Sequence, residues 1–168
     1  MRRRCLPQAC ILAFSLASCL AFTACSEVAN GPGMISQRIG ERVRDPAATE
    51  VDLGRLTTFG WDRFVFFAPG TPREKICEFI GAGRSQCGRI LRYTAVPECC
   101  AALAFALDNR LTHTELHALA NGRFGFTPPP GGQPRAQSVF RIRRETSERI
   151  WLEPRQTQDT RHATSPDH

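Results

Sequence analysis

The sequence predicts a small α+β domain, with one or two helices packed on a mainly antiparallel sheet of four to five strands. Three observations predict it. Runs dense in β-branched and aromatic residues, such as Val65-Phe66-Phe67 and Val139-Phe140, are bounded by Pro and Gly, the pattern of half-buried strands. Asp108-Asn109 stands between two apolar stretches, where a tight hairpin needs left-handed backbone that Asp and Asn accept. Thr71-Pro72-Arg73-Glu74 precedes Ile76, Cys77, Phe79 and Ile80, which combines a helix start with an apolar helical face.

In chain order, residues 25–48 are polar and broken by Gly31-Pro32-Gly33 and Pro46, the composition of a flexible tether. Residues 49–58 predict a short helix, since Val51, Leu53, Leu56 and Thr57 share a face and Thr49 or Asp52 is a suitable cap. Residues 62–67 predict a strand, ended by Pro69-Gly70. The helix from Thr71 has Pro72 in its first turn, Glu74 completing a capping box, and Gly81 as its stop. Between 82 and 98 the signals are loop-like, apart from a short strand at 89–93. Residues 100–107 and 111–119 form the hairpin, with Leu103, Phe105 and Leu107 alternating onto one face. Residues 139–142 and 150–152 predict a second antiparallel pair. The domain spans 49–153, and 154–168 reads as a disordered polar tail.

The chain of 168 residues has room for one domain of ordinary size. Its formal charge of +6 rests almost wholly on arginine, Lys75 being the one lysine. The start of the chain carries Arg2, Arg3 and Arg4, then an apolar run at 11–22, then small residues before a cysteine, which is the construction of an export signal over 1–24. Its removal takes the charge to +3, too mild for a dedicated nucleic-acid binder. Thr23-Ala24-Cys25 after Leu20-Ala21-Phe22 resembles a bacterial lipobox, with Cys25 as the lipidated first residue of the mature chain. Leu16-Ala17-Ser18-Cys19 matches the letters better, but cleavage there leaves Leu20-Ala21-Phe22 exposed, so Cys25 is the expected lipid site. A plain secretory signal cut nearby is the competing reading.

Of eight cysteines, Cys5, Cys10 and Cys19 leave with the leader and Cys25 takes lipid, so Cys77, Cys87, Cys99 and Cys100 remain. An even number in an oxidising compartment suggests two disulfides. A bond between Cys99 and Cys100 demands a strained ring, so Cys77 and Cys87 are each expected to bond one of the adjacent pair, with the choice open. A zinc site is disfavoured because paired C-x-x-C knuckles are missing. So is a redox helix motif.

Trp61 and Asp62 are the candidates for partner contact, because an indole beside a carboxylate can hold a cation or a partner's arginine. The competing reading is structural, with Trp61 filling the core edge and Asp62 accepting backbone hydrogen bonds. His113-Thr114-Glu115-Leu116-His117 lacks the Glu that a zinc protease needs directly after the first His. On a strand His113, Glu115 and His117 point the same way, and the expectation is exposed polar alternation rather than a metal face. No nucleophile elbow, phosphate-cradling loop or carboxylate pair stands out, so no catalytic residue, metal or cofactor is assigned.

The stretch Phe59-Gly60-Trp61-Asp62-Arg63-Phe64-Val65-Phe66-Phe67-Ala68-Pro69, continuing through Asp108-Asn109, resembles a motif of small uncharacterised bacterial lipoproteins. It covers about half the mature chain, and Gly70 stands where those proteins often carry an aromatic. Gly70-Thr71-Pro72 through Gly81 is similar to the small accessory lipoproteins of the outer-membrane assembly machine, although here a strand precedes the helix rather than a second helix. The first resemblance implies no activity. Together with Ser26 after the lipidated cysteine, the lipoprotein likeness implies sorting to the outer membrane. The expectation is an envelope lipoprotein, membrane-bound through its N-terminal lipid and non-catalytic, that binds another envelope protein or supports envelope assembly. The rivals are a metal-dependent or thiol periplasmic enzyme and an immunity or inhibitor protein.

Overall fold

The computed structural model describes residues 31–81 and 84–155. The chain divides after Gly31 into two units, and the second, from Pro32, holds the domain. The leader, Cys25 and most of the tail expected at 154–168 lie outside the described residues.

The domain is α+β, as the sequence predicts, but its strands form two four-stranded sheets rather than one. In chain order the elements are α1 (Met34–Arg44), β1 (Glu50–Asp52), α2 (Leu53–Leu56), β2 (Arg63–Phe67), α3 (Arg73–Ile80), α4 (Arg84–Ile90), β3 (Cys100–Leu107), β4 (Arg110–Ala118), β5 (Arg123–Phe124), β6 (Gln133–Pro134), β7 (Val139–Arg144) and β8 (Ile150–Pro154). The first sheet runs β4-β3-β2-β6, antiparallel throughout. The second runs β1-β7-β8-β5, with only β5 and β8 parallel.

β3 is the centre of the fold because both its faces are buried. Leu103 and Phe105 face the larger core, where Trp61, Phe64, Phe140, Ile142 and Leu152 meet. Phe64 stacks on Phe105 at 5.7 Å and meets Phe140 edge-on at 5.9 Å, so aromatic rings join the two sheets in the edge and offset geometries their quadrupoles favour. Cys100, Ala102 and Ala104 face the other way, into a second core with Ile76, Cys87, Leu91 and Val96. Small side chains on this face admit the α3–α4 layer close to the sheet. Leu107, expected on the apolar face, ends the strand exposed.

The hairpin turn forms where the sequence places it, with φ of 50° at Asp108 and 63° at Asn109, the mirror-image turn that matches strand twist. A bulge after Phe105 shifts the register, and Thr112 Oγ1 donates to the Phe105 carbonyl across it.

Four expectations are corrected. From Pro32 onward the stretch expected as tether is part of the domain, and Met34–Arg44 is helical with Ile35, Ile39 and Val43 buried. Residues 49–58 form β1 before the short α2, because Val51 pairs with Phe140 on β7; Asp52 is the cap, accepting from the Arg55 N–H at 3.3 Å. The strand expected at 89–93 is instead the end of α4 and the turn after it. α3 starts after Pro72 with no side-chain cap, because backbone hydrogen bonds from Gly70 to Val96, from Val96 to Thr71 and from Arg73 to Thr94 hold this stretch against 94–96, with Pro72 extended. Its end is as expected, with Gly81 left-handed at φ 64°.

Candidate functional site

His113, Glu115 and His117 alternate along β4 and do share a face, opposite Phe105, Leu103 and Ala101. α1 covers the part of that face that holds Glu115 and His117, while the His113 side chain stays 35% exposed. α1 begins at Gly33, which offers no capping side chain, and its first N–H groups need acceptors. Glu115 supplies them from the sheet: its carboxylate accepts from the Ile35 N–H at 3.2 Å and the Ser36 N–H at 2.7 Å. His113 Nε2 lies 2.9 Å from the same carboxylate. A carboxylate at a helix N-terminus is also favoured by the helix dipole.

His117 is fully buried. Its Nε2 lies 2.7 Å from the Gly122 carbonyl, so this nitrogen carries the proton. Nδ1 then accepts from Ser36 Oγ at 3.1 Å. Ser36 Oγ in turn accepts from the Ala118 N–H and from Asn121 Nδ2. Burial lowers the His117 pKa, opposed by the Gly122 hydrogen bond and by Glu115, so the imidazole stays neutral. Glu115 and His117 are thereby committed to docking α1, and His113 is tied to Glu115 and packs on Phe59.

Trp61 is also committed internally. It is 2% exposed, its Nε1 donates to Thr57 Oγ1 at 2.7 Å, and it packs on Phe105 at 5.2 Å. The expectation that Trp61 is a surface contact is therefore corrected. The cation it attracts belongs to the same chain: the exposed Arg135 guanidinium lies 5.3 Å from the ring centroid and donates to the Gly54 carbonyl. Asp62 is exposed, and its carboxylate accepts from the Asp108 N–H at 2.9 Å, bracing the hairpin turn.

The cysteines pair differently from the expectation. Cys77 on α3 bonds Cys87 on α4, with Cα atoms 5.8 Å apart. Because 84–90 is helical, Cys87 faces α3 instead of the start of β3. Cys99 is exposed and Cys100 buried, both as thiols, their sulfurs 2.9 Å apart. Burial, then the hydrogen bond and charge of Cys99, push the Cys100 thiol up to about 12.

The second sheet carries the open polar surface. On its outer face Arg143 pairs with Glu145 and Glu153, and Arg141 pairs with Glu153 at 2.9 Å. Arg141 first and Arg143 next hold the Glu153 carboxyl below its usual range. Beside β1 lies a cleft of about 470 Å³ lined by Arg42, Glu50, Asp52, Arg55, Leu56, Val139 and Arg155. Arg55 pairs with Asp52 at 3.3 Å and Arg155 with Glu50 at 3.6 Å, while the two arginine side chains remain 89% and 68% exposed. Such a lining does not suit an apolar small molecule, since those pockets are mostly hydrophobic. It presents exposed guanidinium groups beside paired carboxylates, a surface of mixed charge. The spacing in sequence of Arg42, Arg55 and Arg155 carries no signal of this cleft. The chain matches no family model, no curated protein and no solved structure.

Proposed function

We propose that this chain is a lipid-anchored envelope protein, held by Cys25, that binds another envelope protein rather than catalysing a reaction. The anchor rests on the leader, with its arginine start, apolar run and Thr23-Ala24-Cys25 end. The observation that carries export is the Cys77–Cys87 bond, since structural disulfides persist in oxidising compartments and are rare in reducing ones. Ser26, through the lipoprotein likeness, directs the reading to the outer membrane. Binding is favoured because His113, Glu115, His117 and Trp61 are occupied by the fold, whereas the charged cleft beside β1 leaves Arg55 and Arg155 exposed to meet acidic side chains.

Two measurements test the proposal. Mass spectrometry of the protein from its native membrane should give an N-terminal peptide that begins at Cys25 and carries lipid, and Cys25→Ser should move the protein from the membrane to the soluble fraction. An unlipidated start ends the anchor reading. For binding, a photo-crosslinker at Arg55 in cells should yield a discrete adduct that Arg42→Glu with Arg155→Glu abolishes. A smear, or an adduct indifferent to charge reversal, argues against the cleft.

A further inference from the structure

We propose that Cys99 and Cys100 are a redox-active pair that closes reversibly into a vicinal disulfide by exchange with a disulfide-bearing partner. This goes beyond the binding reading and does not depend on the anchor. Among the described residues Cys77 and Cys87 consume each other, so each remaining thiol has only its neighbour. Their sulfurs are 2.9 Å apart, less than ~1 Å beyond a closed bond.

The two thiols differ in a way that orders the steps. Cys99 is exposed in the turn before β3, and Cys100 is buried among Ile76, Leu91 and Val96. Cys99 is the sulfur an incoming disulfide can reach. Its attack on one partner sulfur breaks the partner's bond, forms a mixed disulfide and releases the partner's first thiol. Cys100, its sulfur already beside that of Cys99, gives up its proton to the second departing partner sulfur as its thiolate attacks the Cys99 sulfur. Two thiols have been oxidised, one disulfide reduced, and two partner thiols released.

The resulting bond is the weaker of the two in the domain for a covalent reason. Consecutive Cα atoms are held about 3.8 Å apart by the peptide, below the roughly 4.4–6.8 Å that unstrained disulfides span. The Cα atoms of Cys77 and Cys87 are 5.8 Å apart, inside that range. The domain thus carries one crosslink of ordinary span and one strained, more reducible pair, both against the same core.

The test equilibrates the purified full chain in glutathione buffers from reducing to oxidising, alkylates free thiols and digests with trypsin. Cleavage after Lys75, Arg84, Arg89, Arg92 and Arg110 separates Cys77 and Cys87 and leaves Cys99 with Cys100 in peptide 93–110. In oxidising buffer peptide 93–110 should be two hydrogens lighter, unalkylated and alone. In milder reducing buffer it should take two alkyl groups while 76–84 stays crosslinked to 85–89. Crosslinking of 93–110 to either other peptide, double alkylation across the whole range, or opening of both bonds together would each overturn the proposal. In Cys99→Ser, Cys100 should resist alkylation in the folded state; rapid modification would contradict its buried role.

Discussion

Replacing Glu115 with Ala tests the idea that a strand caps a helix here. The carboxylate receives two backbone N–H groups of α1, and its side chain is 7% exposed. A hydrogen bond to a charged group contributes about 1.5–3 kcal/mol, and loss of an ordinary cap costs about 0.5–2 kcal/mol. Partial rehydration of the freed N–H groups offsets some of this, so Glu115→Ala should destabilise the domain by about 2–4 kcal/mol. With a urea m-value of about 2 kcal/mol/M, the midpoint should fall by roughly 1–2 M. Glu115→Gln keeps a neutral acceptor and should lose about half as much. Gly33→Ala should act in the same direction, because its new methyl group meets the Glu115 carboxylate. Urea unfolding with amide exchange at Ile35 and Ser36 is the assay. A loss below about 0.5 kcal/mol with unchanged protection of those amides would refute the reasoning.

Three other outcomes follow from the same geometry. His117 has a lowered folded pKa, so as pH falls below about 6.5 the unfolded chain takes a proton that the folded chain refuses; stability should decline by up to about 1.4 kcal/mol per pH unit from there to the depressed pKa. His117→Gln should flatten that decline in paired denaturation curves at about pH 7.5 and 5.5, on either side of the unfolded value, and parallel curves would show that His117 is not the cause. The Arg144 guanidinium donates to the Val43, Asp45 and Ala48 carbonyls at the end of α1; Arg144→Lys should cost about 1–2 kcal/mol because a single ammonium does not reproduce the planar fork, and an unchanged melting midpoint would exclude that role. Cys77→Ala with Cys87→Ala opens a crosslink spanning 10 positions and should cost about 2–3 kcal/mol in the chain-entropy account, read as a lower urea midpoint than that of the oxidised parent and matching the parent under strong reductant.

The local code of the sequence is legible wherever one segment determines its own conformation. Asp108-Asn109 specifies its turn, because left-handed backbone is a property of those two residues. Residues 63–67 read as a strand from their own side chains, and Gly81 stops α3 without help. Tertiary contacts decide the rest. The spacing of Ile35, Ile39 and Val43 is a signal for α1, but it lies between Gly31-Pro32-Gly33 and Pro46, and the helix start carries no cap of its own; the cap, Glu115, lies 79 positions from Ser36. Val51 becomes a strand residue because Phe140 is there to pair with, and α4 is a helix that holds Cys87 against Cys77. Cysteine parity indicates disulfides, yet their pairing depends on which helix faces meet. Residue types and spacing thus determined the α+β class, the hairpin and the expectation of an export signal. Which polar groups are spent on the fold, and which stay exposed beside β1, was decided only when distant segments came together, because burial and hydrogen-bond partners belong to the packed chain and not to any stretch of it.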